Sequence, residues 1–104
     1  MNNRKNQLLS MLENEPEDVF LNYALAMELL SENNFEKAKQ QLEKVLQLNK
    51  DYLPCYYQLG QVFEKLALND EAILTYTNGL ELAQKQQNTK AMGELKEAIW
   101  LLEP

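Results

Sequence analysis

The stretch YYQLGQVF, residues 56–63, decides how this chain is read. Tyr56, Leu59, Gly60 and Phe63 are spaced by threes and fours, as on one face of an α-helix. Gly60 stands in the middle of that face, where glycine costs about 1 kcal/mol relative to alanine. A helix that keeps a glycine there must need the missing side chain. The reason has to lie in what the rest of the chain places against it.

Outward from this stretch the pattern stays helical. The chain has 104 residues, with only three glycines and three prolines to interrupt it. Leu, Glu, Lys, Gln and Ala, the better helix formers, are abundant. Leu42, Val45 and Leu46 follow helical spacing, as do Val62, Phe63, Leu66 and Ala67. Breaks fall at regular intervals. Pro16, followed by Glu17 and Asp18, predicts a helix start near residue 17. Turns are predicted around Asn33-Asn34, within NKDYLP (49–54), at LALNDEA (66–72) and at QNTKA (87–91). Asn69 is the expected N-cap of the third turn, and Pro54 suits a first helical turn. Six helices follow, at about 3–14, 17–32, 35–48, 52–67, 70–87 and 90–103. Linkers of two to four residues make neighbouring helices antiparallel.

Sliding the chain against itself by 34 residues sets Tyr23 on Tyr57, Leu25 on Leu59 and Ala26 on Gly60. Ala38 falls on Ala72, Leu42 on Tyr76 and Leu46 on Leu80. Backward, Leu8 falls on Leu42 and Leu12 on Leu46. Tyr56, Leu59-Gly60 and Phe63, followed by Ala72 and Tyr76, carry an aromatic, Leu-Gly, aromatic, then Ala and aromatic order. A helix–turn–helix unit of this period and order resembles the tetratricopeptide repeat. The first unit is weaker, with Asn22 in the aromatic place.

The resemblance implies an all-α, right-handed array of antiparallel helix–turn–helix units, an α-solenoid. Residues 1–104 would form a single domain. Residues 1–18 would be a partial repeat or cap, 19–52 repeat 1, 53–86 repeat 2, and 87–104 a capping helix. In this family the small residue sits where the two helices of a unit cross, so Gly60 and Ala26 would let backbones approach. Gly79 takes a usual alanine position and would loosen its helix. Lys50 and Gln84 stand where such units often close with proline. The last helix should cap the array through a stripe of Ala91, Met92, Leu95, Ala98, Ile99 and Leu102, with Lys90, Glu94 and Glu97 off it.

Composition excludes several function classes. The net charge is −6, from 10 basic and 16 acidic residues, which argues against nucleic-acid or anionic-membrane binding. No apolar run is long enough to span a bilayer, and Ser10 and Glu13 break any signal-peptide pattern at the N-terminus. The single cysteine, Cys55, allows no internal disulfide and reads as a packing residue. A cytoplasmic location follows by default. With no histidine, the commonest general base and metal ligand is missing. No catalytic set, metal site or cofactor is expected.

What remains is a binding surface. The resemblance implies a concave groove, lined by the first helix of each unit, that holds a peptide or protein segment. Carried onto this chain, the groove residues are Phe20, Tyr23 and Met27 in the first unit. In the second they are Tyr57, Gln58, Gln61 and Lys65. Glu64 and Pro54 also fall on that helix. One subclass clamps a free carboxylate with Lys, Asn and Arg. Tyr23, Met27 and Gln58 replace the first of these, so that specificity is not implied. The alternative is a self-association module, a homodimer pairing through terminal helices at Trp100 and Leu101. Trp100 lies opposite the stripe of its helix and reads equally as an exposed contact or as packed beneath the preceding helix.

Overall fold

A computed structural model describes residues 3–104. The described residues form six α-helices: α1 (Asn3–Asn14), α2 (Val19–Ser31), α3 (Phe35–Leu48), α4 (Pro54–Lys65), α5 (Asn69–Lys85) and α6 (Thr89–Leu102). They divide between Lys50 and Asp51 into two compact units of three helices each. In the first, α2 packs against both α1 and α3; in the second, α5 packs against both α4 and α6.

Three of the connections share one backbone solution. Asn33, Ala67 and Gln87 adopt left-handed conformations with φ of 58°, 61° and 55°. After each, an amide reaches back to the preceding helix: Asn34 to the Leu29 carbonyl at 2.9 Å, Leu68 to Phe63 at 2.8 Å, and Asn88 to Ala83 at 2.9 Å. Each left-handed residue also donates to a carbonyl three residues earlier. This paired closure is the Schellman motif, usually built on glycine. Here none of the three is glycine.

The residue after the left-handed one then caps the next helix. The Asn34 side chain accepts from the Lys37 amide, and that of Asn88 from Ala91 at 3.0 Å. At the third turn this place belongs to Leu68, which has no side-chain oxygen to offer. Asn69, the expected cap, lies one residue too late and is the first residue of α5. Likewise α2 begins at Val19 rather than near 17. Asp18 is its cap, with Oδ1 accepting from the Leu21 amide at 2.9 Å. Pro54 opens α4, as expected.

The glycines of α4 and α5 are explained by the rings opposite them. A Cβ on Gly60 would lie 2.1 Å from Cε1 of Tyr76, inside the ring's own volume. What Gly60 admits is therefore a tyrosine side chain, rather than a neighbouring backbone. A Cβ on Gly79 would meet Cβ of Tyr56 at 2.6 Å. That atom is rigidly attached to the α4 backbone, so close helix approach is Gly79's role. Gly79 is buried and leaves no slack. In the first unit the corresponding pairs are Ala26 with Leu42 and Asn22 with Val45, all buried. Each tyrosine of the second unit is larger than its counterpart, and each faces a residue reduced to glycine. Total volume is conserved while its division between the helices shifts.

The Tyr76 ring is fully buried, yet its hydroxyl has partners. It accepts from Gln61 Nε2 at 2.7 Å and donates to Glu64 Oε2. Burial and the Glu64 carboxylate both push the Tyr76 phenol up from its ordinary value. Asn22 is the corresponding polar centre of the first unit. Its amide donates to the Pro16 and Asp18 carbonyls at 3.1 and 2.8 Å, and its oxygen accepts from Gln41 at 2.6 Å. It takes the aromatic place of the repeat and ties the α1–α2 turn to α3. Among the described residues, no buried side-chain nitrogen or oxygen lacks a partner.

Candidate functional site

In the second unit a cleft of about 400 Å³ opens between the start of α4 and the face of α6. Tyr52, Pro54 and Tyr57 form one wall, and Ala91 and Leu95 the other. Polar groups sit at its rim: the cap residue Asn88, Lys90 and Glu94 of α6, with Asp51 and Gln86 at one end. Gln86 Nε2 donates to the Asp51 carbonyl at 3.3 Å, which fastens that end. Proline at the first position of α4 and the Asn88 cap of α6 fix both helix starts beside the opening. Tyr57 also lies against Tyr76, with ring centroids 6.0 Å apart and planes tilted by 42°. That contact fits an aromatic pair and steadies Tyr57 at the cleft wall.

Of the groove residues read from the sequence, Tyr57 lines this cleft. Gln61 is turned instead toward the Tyr76 hydroxyl, and Glu64 joins it there. Gln58 is half-buried on α4, and Lys65 is exposed at its end. In the first unit Phe20 is 66% exposed, while Tyr23 and Met27 are half-buried along α2. The end of α2 is bound to α1 by two ion pairs, Arg4–Glu28 at 2.9 Å and Lys5–Glu32 at 3.0 Å.

Tyr52, Ala91 and Leu95 belong to the cleft but were not among the groove residues read from the sequence. A signal for two of them exists. The same 34-residue step that sets Tyr23 on Tyr57 sets Tyr57 on Ala91 and Gln61 on Leu95. The stripe of α6 is otherwise as expected, with Leu95 and Ala98 buried and Ala91, Met92, Ile99 and Leu102 half-buried. Trp100 and Leu101 are 72% and 68% exposed, so Trp100 does not pack beneath the preceding helix.

Cys55 is buried, and burial pushes its thiol up to about 12 from an ordinary 9.0. A thiol so held is neither a nucleophile nor a ready metal ligand at neutral pH. Among the described residues no helix is long and apolar enough to cross a membrane.

A model of the family described as anaphase-promoting complex, cyclosome, subunit 3 matches residues 5–79. A tetratricopeptide repeat domain protein from Salinibacter ruber, solved in solution, is 39% identical, with a TM-score of 0.79 over 85% of this chain and 89% of that one. A crystal structure of a tetratricopeptide repeat domain protein from the same organism is 36% identical, with a TM-score of 0.77 over 82% and 94%. A Bordetella parapertussis protein that is 20% identical shares the fold, with a TM-score of 0.87 over 98% of this chain and 89% of its own. No curated protein matches the sequence. The family model spans most of the chain, and the Salinibacter domain is more than a third identical along nearly its whole length. The chain therefore belongs to the tetratricopeptide-repeat family.

Proposed function

We propose that this chain, in keeping with its family's fold, is a non-enzymatic scaffold and binds an extended or helical segment of a partner protein along the first helix of each repeat, α2 and α4. Residues 19–52 and 53–86 act as its two repeats, with α1 and α6 as caps. Cys55, kept as a buried thiol, suits a cytoplasmic setting. The observation that supports the reading most is the cleft at Tyr57. It has two tyrosines and a proline on one wall, Ala91 and Leu95 on the other, and a charged rim, the composition of a site for one anchoring side chain. Phe20, Tyr23 and Met27 are the residues we propose for the same role on α2.

A selection from a displayed peptide library tests this directly. Wild type should enrich a sequence family, and Tyr57→Ala should lose it while its thermal unfolding stays close to wild type. Enrichment that survives Tyr57→Ala and Tyr23→Ala alike would refute the groove.

Trp100 and Leu101 favour a second reading, self-association through α6. Neighbouring large apolar residues this exposed are a common mark of a contact surface. Sedimentation over a range of concentrations decides it. A concentration-dependent dimer that Trp100→Ser dissociates would support the reading. A monomer throughout would end it.

A further inference from the structure

The first unit carries a second cleft that the peptide groove does not use. Two openings, of about 260 and 550 Å³, share Leu9, Leu25, Gln41 and Lys44 and so form one trough between α1 and α3. Its floor is apolar: Leu25 and Leu29 from α2, with Leu9 of α1 left 43% exposed. One side carries Lys37 and Lys44 of α3. Both are exposed, and neither makes an ion pair among the described residues. The other basic side chain of the trough, Lys5, is already bound to Glu32. The trough's carboxylate, Glu13, lies at the end near Pro16.

This arrangement is unusual for a chain with six more acidic than basic residues. Two ammonium groups without an ion pair among the described residues stand seven residues apart on one helix, about 10 Å along its axis. Leucines lie beside them. The charge repels further cations and favours an anionic partner over the exposed Leu9. A helix laid along the trough would present carboxylates with the same seven-residue step, two turns apart on one face. Apolar residues at the third and fourth positions between them would meet Leu9, Leu25 and Leu29.

We propose that the α1–α3 trough docks an acidic amphipathic helix of a partner protein, with Lys37 and Lys44 pairing its carboxylates and Leu9 covered by its apolar side. This site is separate from the Tyr57 cleft and stands whether or not that cleft binds peptide.

The test uses a synthetic helical peptide with glutamates at positions i and i+7 and leucines at i+3 and i+4. A scrambled isomer of the same composition serves as control. Fluorescence anisotropy against the full chain should show saturable binding to the patterned peptide. It should weaken with added salt and fall about tenfold or more with Lys37→Glu, Lys44→Glu. Both lysines are exposed, so the variant should melt as wild type does. Tyr57→Ala should bind this peptide normally. Absence of saturable binding, equal binding of the scrambled isomer, or an unaffected charge-reversed variant would each overturn the proposal. So would self-association of the wild type that the reversal abolishes, because the occupant would then be a second copy of the chain.

Discussion

Replacing Gly60 with alanine adds one methyl group at a place already filled by the Tyr76 ring. In an exposed helix the change would stabilise by about 1 kcal/mol. Here the new Cβ would sit 2.1 Å from Cε1 of Tyr76 and 2.5 Å from Cδ1 and Cζ. The ring cannot swing aside easily, because Gln61 and Glu64 hold its hydroxyl and no part of it reaches solvent. Overpacking of a closed core costs about 1–3 kcal/mol, and a clash this deep belongs at the upper end. The net expectation is a loss of about 2 kcal/mol, or roughly 10 °C in melting temperature for a chain of this size. Tyr76→Leu alone should also cost about 2 kcal/mol, from a cavity and from Gln61 and Glu64 left without their partner. The double variant recreates the Ala26–Leu42 pair of the first unit. It should therefore be more stable than the sum of the single losses by about 1 kcal/mol or more. Urea unfolding of the four proteins, at matched denaturant slopes, measures this cycle. A Gly60→Ala variant as stable as wild type, or a strictly additive double variant, would refute the volume exchange.

The other glycines set the contrast. Gly79→Ala should destabilise by about 1–2 kcal/mol, because the Tyr56 Cβ it meets moves only with α4. Gly93→Ala, with nothing within 4 Å, should stabilise by up to about 1 kcal/mol in the same denaturant assay. Ala67→Gly should raise stability by about 1 kcal/mol, since Ala67 holds a φ of 61° that glycine adopts without strain. A melting temperature at or below wild type would count against that account. Asn22→Ala should cost about 1–2 kcal/mol, because the Pro16 carbonyl loses its side-chain donor, the Asp18 carbonyl keeps only the residue-22 backbone amide, and Gln41 loses its 2.6 Å acceptor. Cys55 keeps its proton to about pH 12 when folded but loses it near 9.0 when unfolded. Above pH 9 the unfolded state therefore binds fewer protons, and the thiol's contribution to stability is lost progressively between about pH 9 and 12. Unfolding curves across that range should show the loss, and Cys55→Ala should show less of it. At pH 8 a thiol reagent should label wild type only as fast as the chain opens.

The number of helices, their order and the family were all legible in the sequence. Leucine and alanine spacing, scarce helix breakers and a 34-residue self-match are properties of the chain read along its length, and no partner is needed to see them. The caps at Asp18, Asn34 and Asn88 were not singled out from the sequence, although each falls at a predicted break. The cap that was expected, Asn69, was misplaced, because the Schellman closure at Ala67 fixes Leu68 as the cap whatever its side chain. The glycines mark the limit most clearly. The sequence shows that Gly60 needs to be small, but it reads Gly79 as a loosening of its helix. Which is small for a ring and which for a helix backbone depends on where Tyr76 and Tyr56 point across the α4–α5 contact. The same holds for the cleft. Tyr57 was visible from the repeat, whereas the hydrogen bond of Gln61 to a hydroxyl fifteen residues on was not. Lys37 and Lys44 have leucines beside them only because α1 and α2 bring those leucines there. Local propensity and periodicity are written along one chain. Volume exchange, hydrogen-bond partners and charge left uncompensated arise between helices, and only their packing decides them.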